Sequence, residues 1–327
     1  MTERRFHFPN GKRFAFTVID DTDVATVENV KPVYDLLERL GMRATKTVWP
    51  VGCPEGSANF ATSETLEDAH YRDFVRDLQR RGFEITWHGA TMESSTRERT
   101  LDALERFRDV FGNYPRIHVN HAENRENLYW GAARIDQPVL KRLFARFSGW
   151  PADWFAGHVE SSPFWWGDAS VEHMEYARNL TFNDIDTGAM NPSMPYRDPT
   201  RPLVRWWFSA TDAEDVDEFN HLVSTRRLDR LERNGGFCVV ATHFGKRFVQ
   251  DGEVQASTRE RLERLALRPG WFPTAGELLD WLRSHSAGEF LPPAEWRRMQ
   301  WLWARDLGAR KWRQRRRARR SRNGDRG

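Results

Sequence analysis

Three apolar runs of this chain end in side chains that can hold a metal or move a proton. Phe14 to Asp21 reads FAFTVIDD and stops at two adjacent aspartates; Phe83 to His88 stops at a histidine, and so does Gly236 to His243. Two carboxylates at the mouth of a sheet are costly unless a cation, a substrate or a proton-transfer role justifies them. One of an adjacent pair can hold a divalent cation while the other takes a proton from water. Neutral imidazole is a good ligand for zinc and similar metals, so Asp21 and His88 are candidate ligands. Each feature alone has an ordinary reading: Asp20-Asp21-Thr22-Asp23 as a helix N-cap, His88 and His243 as first loop residues. Their joint placement at three strand ends predicts one site at one end of one sheet.

The elements that must position these residues follow from periodicity. After the first strand, Val27, Val30, Val33, Leu37 and Leu40 recur at helical spacing, and Gly41 stops the helix. Ala44 to Trp49 reads as a strand. A helix carrying Leu66, Phe74 and Leu78 ends at Gly82, and the strand to His88 follows. Ser95 and Glu98 have capping-box spacing ahead of a helix that Gly112 ends, and Arg116 to Asn120 is the next strand. Strands at roughly 30-residue spacing joined by helices predict right-handed crossovers and a parallel sheet. Further on, the patterns predict a helix over 137–147, an aromatic loop over 151–168, and strands near 178–182 and 203–208. A helix over 215–233, the strand to His243, and helices near 257–267 and 274–284 close the unit. The expected fold is α/β: a distorted or incomplete (β/α) barrel with parallel strands. An open doubly wound sheet is the alternative. Either places the ligand site at the carboxyl ends of the strands.

Composition bounds the rest. The chain has 327 residues, 30% charged and 39% hydrophobic, which suits a globular protein. No apolar run approaches the ~20 residues of a membrane span. Neither a signal-like apolar core near the start nor a disulfide framework is evident from Cys53 and Cys238, so a cytoplasmic protein is expected. The net charge of +3 hides an asymmetry: residues 309–327 hold ten Lys/Arg and one Asp, a local +9, leaving −6 for the remainder. The sequence pI of 9.0 therefore belongs to the tail and does not point to specific nucleic-acid binding. The expected division is a barrel domain over 1–285, a helical segment over 286–308 and a disordered basic tail over 309–327. Contact with an anionic surface is the partner such a tail would take, and a solvated end with no partner is the ordinary reading.

The chain resembles the polysaccharide deacetylase family, the NodB-homology domain, over Phe14 to Leu282. The strand ending Asp20-Asp21 is similar to the family's first motif, although Val18-Ile19 precede the pair. Leu40-Gly41-Met42-Arg43-Ala44-Thr45 looks like its helix–glycine–strand stretch. Gly82-Phe83-Glu84-Ile85-Thr86-Trp87-His88 matches its second motif, and Val240 to His243 resembles the last. The resemblance implies a metal-dependent hydrolase that removes an acyl group from an N-acylated sugar or related amide. It implies Asp20 as base, Asp21 and His88 as ligands of a divalent metal (zinc or similar), and His243 as acid. Two departures stand out. The histidine expected four residues after His88 is Met92, a poor ligand for a hard cation, and the third-motif proline is absent from Arg116-Ile117-His118-Val119-Asn120-His121. His121, Glu123 or Asp23 are the candidate replacements.

His118, Asn120 and His121 form a polar cluster that reads as an edge for sugar hydroxyls, and Trp87 as a ring on which a pyranose could stack. A hydrogen-bonded loop is the ordinary reading of that cluster. Asp184 and Asp186 are weaker site candidates. Two alternatives to the deacetylase-like hydrolase are a degenerate barrel that binds carbohydrate or a protein partner without catalysis, and a barrel hydrolase with His118 and His121 in its ligand set. The expected substrate is a carbohydrate or acylated amino sugar.

Overall fold

Seven parallel strands carry the architecture: β1 (Phe14–Asp20), β2 (Thr45–Val48), β3 (Glu84–Trp87), β4 (Ile117–Val119), β5 (Tyr176–Phe182), β6 (Trp206–Asp212) and β7 (Phe237–Thr242). The computed structural model describes residues 6–151, 153–286 and 288–324, with side chains as far as residue 310 and at Trp312. Neighbouring strands pair in chain order. β1 also pairs with β7 in register from Ala15↔Phe237 to Asp20↔Thr242, which closes the sheet into a barrel. A short strand, Gly270–Trp271, adds to the start of β1. This is a (β/α) barrel with seven strands where the common form has eight. Closure excludes the open sheet.

Every barrel strand is buried on both faces, yet the faces differ, because successive side chains point opposite ways. Ala15, Ile19, Ile117, Val119, Tyr176, Phe208, Ala210, Phe237, Val239 and Ala241 share one cluster and fill the barrel. Phe14, Phe16, Val18, Val48, Ile85, Trp87, Ala177, Cys238 and Val240 face outward, against helix residues such as Val30, Val33 and Leu37. The helix Ala275–Ser284 inserts Ala275, Leu278 and Leu279 into the interior cluster. Its first turn is tied to the starts of β2 and β3, where Thr45 Oγ1 accepts from Ala275 N and Glu84 Oε2 from Gly276 N. The amino end of the barrel is thereby plugged, and the carboxyl end is left for a site.

Several elements depart from expectation. The helix after β3 runs Arg97–Phe111, and Ser95 makes no capping box; its backbone N–H donates instead to Glu126. The span expected as one helix over 215–233 is two, Val216–Leu222 and Thr225–Asn234. β6 begins and ends later than expected, because its second half, Ser209-Ala210-Thr211, is small and polar while buried. At the carboxyl terminus one helix, Pro293–Gly324, passes through both the expected helical segment and the expected basic tail. The side chains of 311 and 313–324, and residues 325–327, lie outside the described part. Among the described residues no helix is long and apolar enough to cross a membrane.

Candidate metal centre and active site

Strand parity decides which side chains reach the carboxyl-end mouth. On β1 the inward series Ala15, Thr17, Ile19 continues to Asp21, whereas Asp20 belongs to the outward series. On β4, Ile117 and Val119 continue to His121. On β5, Tyr176 continues to Arg178. On β6, Phe208 and Ala210 continue to Asp212, and on β7, Val239 and Ala241 continue to His243. Trp87 faces outward at the end of β3, so His88, one residue on, turns inward. Six strand ends thus aim titratable or charged side chains at one place.

Asp20 accordingly sits away from that place. Its Oδ2 lies 3.0 Å from the ammonium of Lys46, its register neighbour on β2, and accepts from the Tyr34 hydroxyl at 2.9 Å. Its Oδ1 accepts from the backbone N–H of Phe244 at 2.7 Å. Asp20 and Lys46 are both fully buried, beneath the helix Val27–Arg39. Asp21 is clamped across the mouth by Arg178, with two parallel contacts of 3.0 and 2.6 Å. Burial alone would raise the Asp21 pKa; Arg178, with His88 and His243, outweighs it and lowers it.

Asp23 is the centre of the constellation. His88 Nε2 lies 3.3 Å from its Oδ1, and the Nε2 atoms of His243 and His121 lie 3.3 and 3.7 Å from its Oδ2. Each imidazole is anchored by its other nitrogen to an oxygen. His88 Nδ1 pairs with the Val119 carbonyl at 3.0 Å, His121 Nδ1 with Asn124 Oδ1 at 2.9 Å, and His243 Nδ1 with the Glu214 carbonyl at 2.7 Å. Those oxygens accept, so each Nδ1 carries a proton and each Nε2 is turned to Asp23, where a protonated ring donates to the carboxylate and a neutral ring offers a lone pair to a metal. Burial would raise the Asp23 pKa, but His121, His243 and His88 hold it well below the usual carboxylate range. Asp23 is placed there by a tight turn. Ala25 N–H donates to the Thr22 carbonyl, Val24 adopts φ +54°, and Val24 N–H donates to Ser63 Oγ.

Asp23, His88 and His121 each offer a ligand atom within 4.8 Å of the others. Tetrahedral zinc with ~2.0–2.1 Å bonds spaces its ligand atoms by about 3.3 Å, near the separations here. Asp23 Oδ1 is buried and accepts no hydrogen bond. A buried carboxylate oxygen without a donor, beside imidazole nitrogens that can coordinate once deprotonated, is the environment a divalent cation completes. The donor set fits such an ion. His121 is further supported by a relay: Asn124, which accepts from it, donates to Glu126 Oε1 at 2.9 Å. Burial raises the Glu126 pKa to about 7. Trp49 walls the centre, its ring 4.9 Å from that of His88 and 5.3 Å from that of His121. It also lines an adjoining cavity of about 290 Å³ with Phe60, Thr62 and Met92. A larger cavity, about 780 Å³, lies against the helix Arg97–Phe111, and none of Asp23, His88 and His121 lines it.

Of the residues expected from sequence, Asp21, His88, His121 and His243 come together, with Asp23 between them. Trp87, His118 and Asn120 do not join them. Trp87 and His118 are register partners on the outward face, where Trp87 Nε1 donates to His118 Nδ1 and Trp166 packs on both rings. Burial lowers the His118 pKa to about 3, so it is neutral. Asn120 Oδ1 pairs with His118 Nε2 and accepts from Leu128 N, which fastens the loop. Met92 accepts from Thr62 at 3.2 Å, and the histidine that stands with His88 beside Asp23 is His121, just past β4. Asp186 caps a short helix, and Asp184 pairs with Arg230. Arg178 and Asp212 were hidden in sequence because strand boundaries set parity: placing Arg178 at a strand start and ending β6 at Phe208 takes both out of the mouth.

No protein-family model and no curated protein matches the sequence. Solved structures do match it. A protein from Mycobacterium smegmatis assigned as a polysaccharide deacetylase aligns with 89% of this chain and 98% of its own, at TM-score 0.52 and 13% identity. A Pseudomonas aeruginosa PAO1 protein with the same assignment covers 85% and 94%, at TM-score 0.50 and 14% identity. Puue allantoinase covers 85% and 93%, at TM-score 0.50 and 13% identity. At 13–14% identity these likenesses show a shared fold, that of the two proteins assigned as polysaccharide deacetylases and of the allantoinase.

Proposed function

We propose that the protein is a metal-dependent hydrolase that removes an acyl group from an N-acylated sugar or a related amide. The observation that carries this reading is the convergence of Asp23, His88 and His121 beside a clamped Asp21 and an anchored His243. We assign the ligand role to Asp23, His88 and His121, with Asp21 in place of Asp20 as the proton acceptor. A divalent ion bound there would polarise the scissile carbonyl and lower the pKa of water. Asp21, kept ionised by Arg178, is oriented to take a proton from the attacking water. His243 holds its Nδ1–H on the Glu214 carbonyl and presents Nε2. Burial would lower its pKa, but Asp23 outweighs that and raises it, so the ring can carry a proton to the departing amine. Trp49 excludes water from one side, and the cavity beside it offers room for the substrate.

The fold shared with proteins assigned as deacetylases of polysaccharides and with an allantoinase supports hydrolysis at an amide carbonyl. The non-catalytic alternative takes its main support from Met92, and the position of His121 beside Asp23 and His88 favours the hydrolase. The test is metal content and hydrolysis of acetylated amino sugars by the purified full-length chain. One zinc, cobalt or manganese per chain, with acetate release that chelation abolishes, is expected. A protein that takes up none of these metals and gains no activity from them would overturn the reading.

A further inference from the structure

Arg134 lies on the same loop as His121, in the helical turn Gly131–Arg134. It is 8% exposed, and its guanidinium lies 4.0 Å over the Trp130 ring and 4.5 Å over that of Trp303, on the C-terminal helix. Among the described residues it has no hydrogen-bond or ion-pair partner, and its Nε is buried. The nearest acid in sequence, Asp136, is taken by Arg201 and by the Trp296 indole. A second donor nearby is also unused. Gln300, one helical turn before Trp303, is fully buried; its Oε1 accepts from the backbone N–H groups of Asp136 and Gln137, and its Nε2 has no partner.

Aromatic faces attract a cation but leave its N–H groups unsatisfied, and a buried guanidinium without a counter-ion is expensive. Burial, and then the charge of Arg310, depress the Arg134 pKa to about 9, so the group is still cationic at neutral pH. Donors without acceptors, held in an aromatic frame, have the chemistry of an oxyanion site. We propose that Arg134, framed by Trp130 and Trp303, binds a small oxyanion group, a carboxylate or a phosphate. This assignment does not require the hydrolase reading.

The experiment is the thermal midpoint of the full-length protein, titrated at constant ionic strength with inorganic phosphate or with glucuronate, against chloride. Wild type is expected to show a saturable rise with one or both, and the arm that saturates at lower concentration names the chemistry. Arg134→Met is expected to fold with a midpoint in chloride no lower than wild type, and to lose the anion-specific rise. Arg134→Lys, which keeps the charge, is expected to need at least tenfold more anion. No saturable rise in wild type would overturn the proposal. So would equal rises in wild type and Arg134→Met, which would place the anion on the basic tail or at the metal centre. Should Arg134→Met fail to fold, an unchanged midpoint concentration in Arg134→Lys would do the same.

Discussion

At the level of single side chains, Asp20→Asn and Asp23→Asn separate a supporting role from a ligand role. Asp20 neutralises a fully buried Lys46, so Asp20→Asn leaves that ammonium without its counter-ion and is expected to cost about 3 kcal/mol of stability in denaturant unfolding. Zinc content should survive wherever the protein stays folded. Asp23→Asn removes the carboxylate proposed as the central ligand and should abolish zinc binding, measured by metal analysis, while lowering stability far less. Metal loss in Asp20→Asn at full stability would reverse the two assignments. Glu126 makes a prediction about pH. Its folded pKa of about 7 lies above the ordinary 4.5. Between those values the folded chain binds the extra proton, so stability falls as pH rises. The fall attributable to this group is about 3 kcal/mol. Glu126→Gln should flatten that slope in chemical unfolding measured from pH 4.5 to 7, and an unaltered slope would remove Glu126 as its source.

At the level of elements, the centre depends on two loops pressing together, one carrying Asp23 and one following His243. Gly245 allows this: a Cβ there would meet the Val24 carbonyl oxygen at 2.8 Å, which is backbone and cannot swing away. Gly245→Ala is expected to part Asp23 from His243 and weaken zinc affinity at least tenfold, read by chelator competition, with the fold retained. Undiminished affinity would show that the Asp23 turn is set from elsewhere. The strands and their order were legible from the spacing of apolar runs and glycine stops. The turn of residues 21–25 was not, because it is fixed by contacts with Ser63 and Gly245, distant in sequence. His121 in the ligand position was legible only as one of several candidates, since its partner histidine lies on a different strand.

At the level of the whole molecule, the C-terminal helix belongs to the folded body for more of its length than composition indicates. Trp296, Met299, Gln300, Trp303 and Asp306 are buried, and Arg310 pairs at 2.6 Å with Asp212 at the barrel mouth. Burial raises the Asp212 pKa, and Arg310 opposes that rise. Ending the chain after Leu307 should therefore cost on the order of 2 kcal/mol, between the values for exposed and buried pairs. Ending it after Trp312 should cost almost nothing. The charges beyond Trp312 are expected to serve attachment to an anionic surface, at about 1 kcal/mol for each basic residue near an acidic membrane. Full-length protein should co-sediment with phosphatidylserine vesicles at low salt, and the chain ending at Trp312 should not. Equal co-sedimentation would rule out the tail as an anchor.

The amino-acid sequence by itself determined the α/β class, the parallel strand order and the end of the sheet that holds the site, because apolar periodicity and glycine stops are local signals. It also determined that Asp21, His88 and His243 share that end. Tertiary structure decided the division of labour. Closure of the barrel fixed which strand parity faces inward, sending Asp21 and Arg178 to the mouth and Asp20 to Lys46. Packing of the 21–25 turn then placed Asp23 among three imidazoles. A one-residue shift along a strand exchanges its two faces, and only the closed set of neighbouring strands settles that shift.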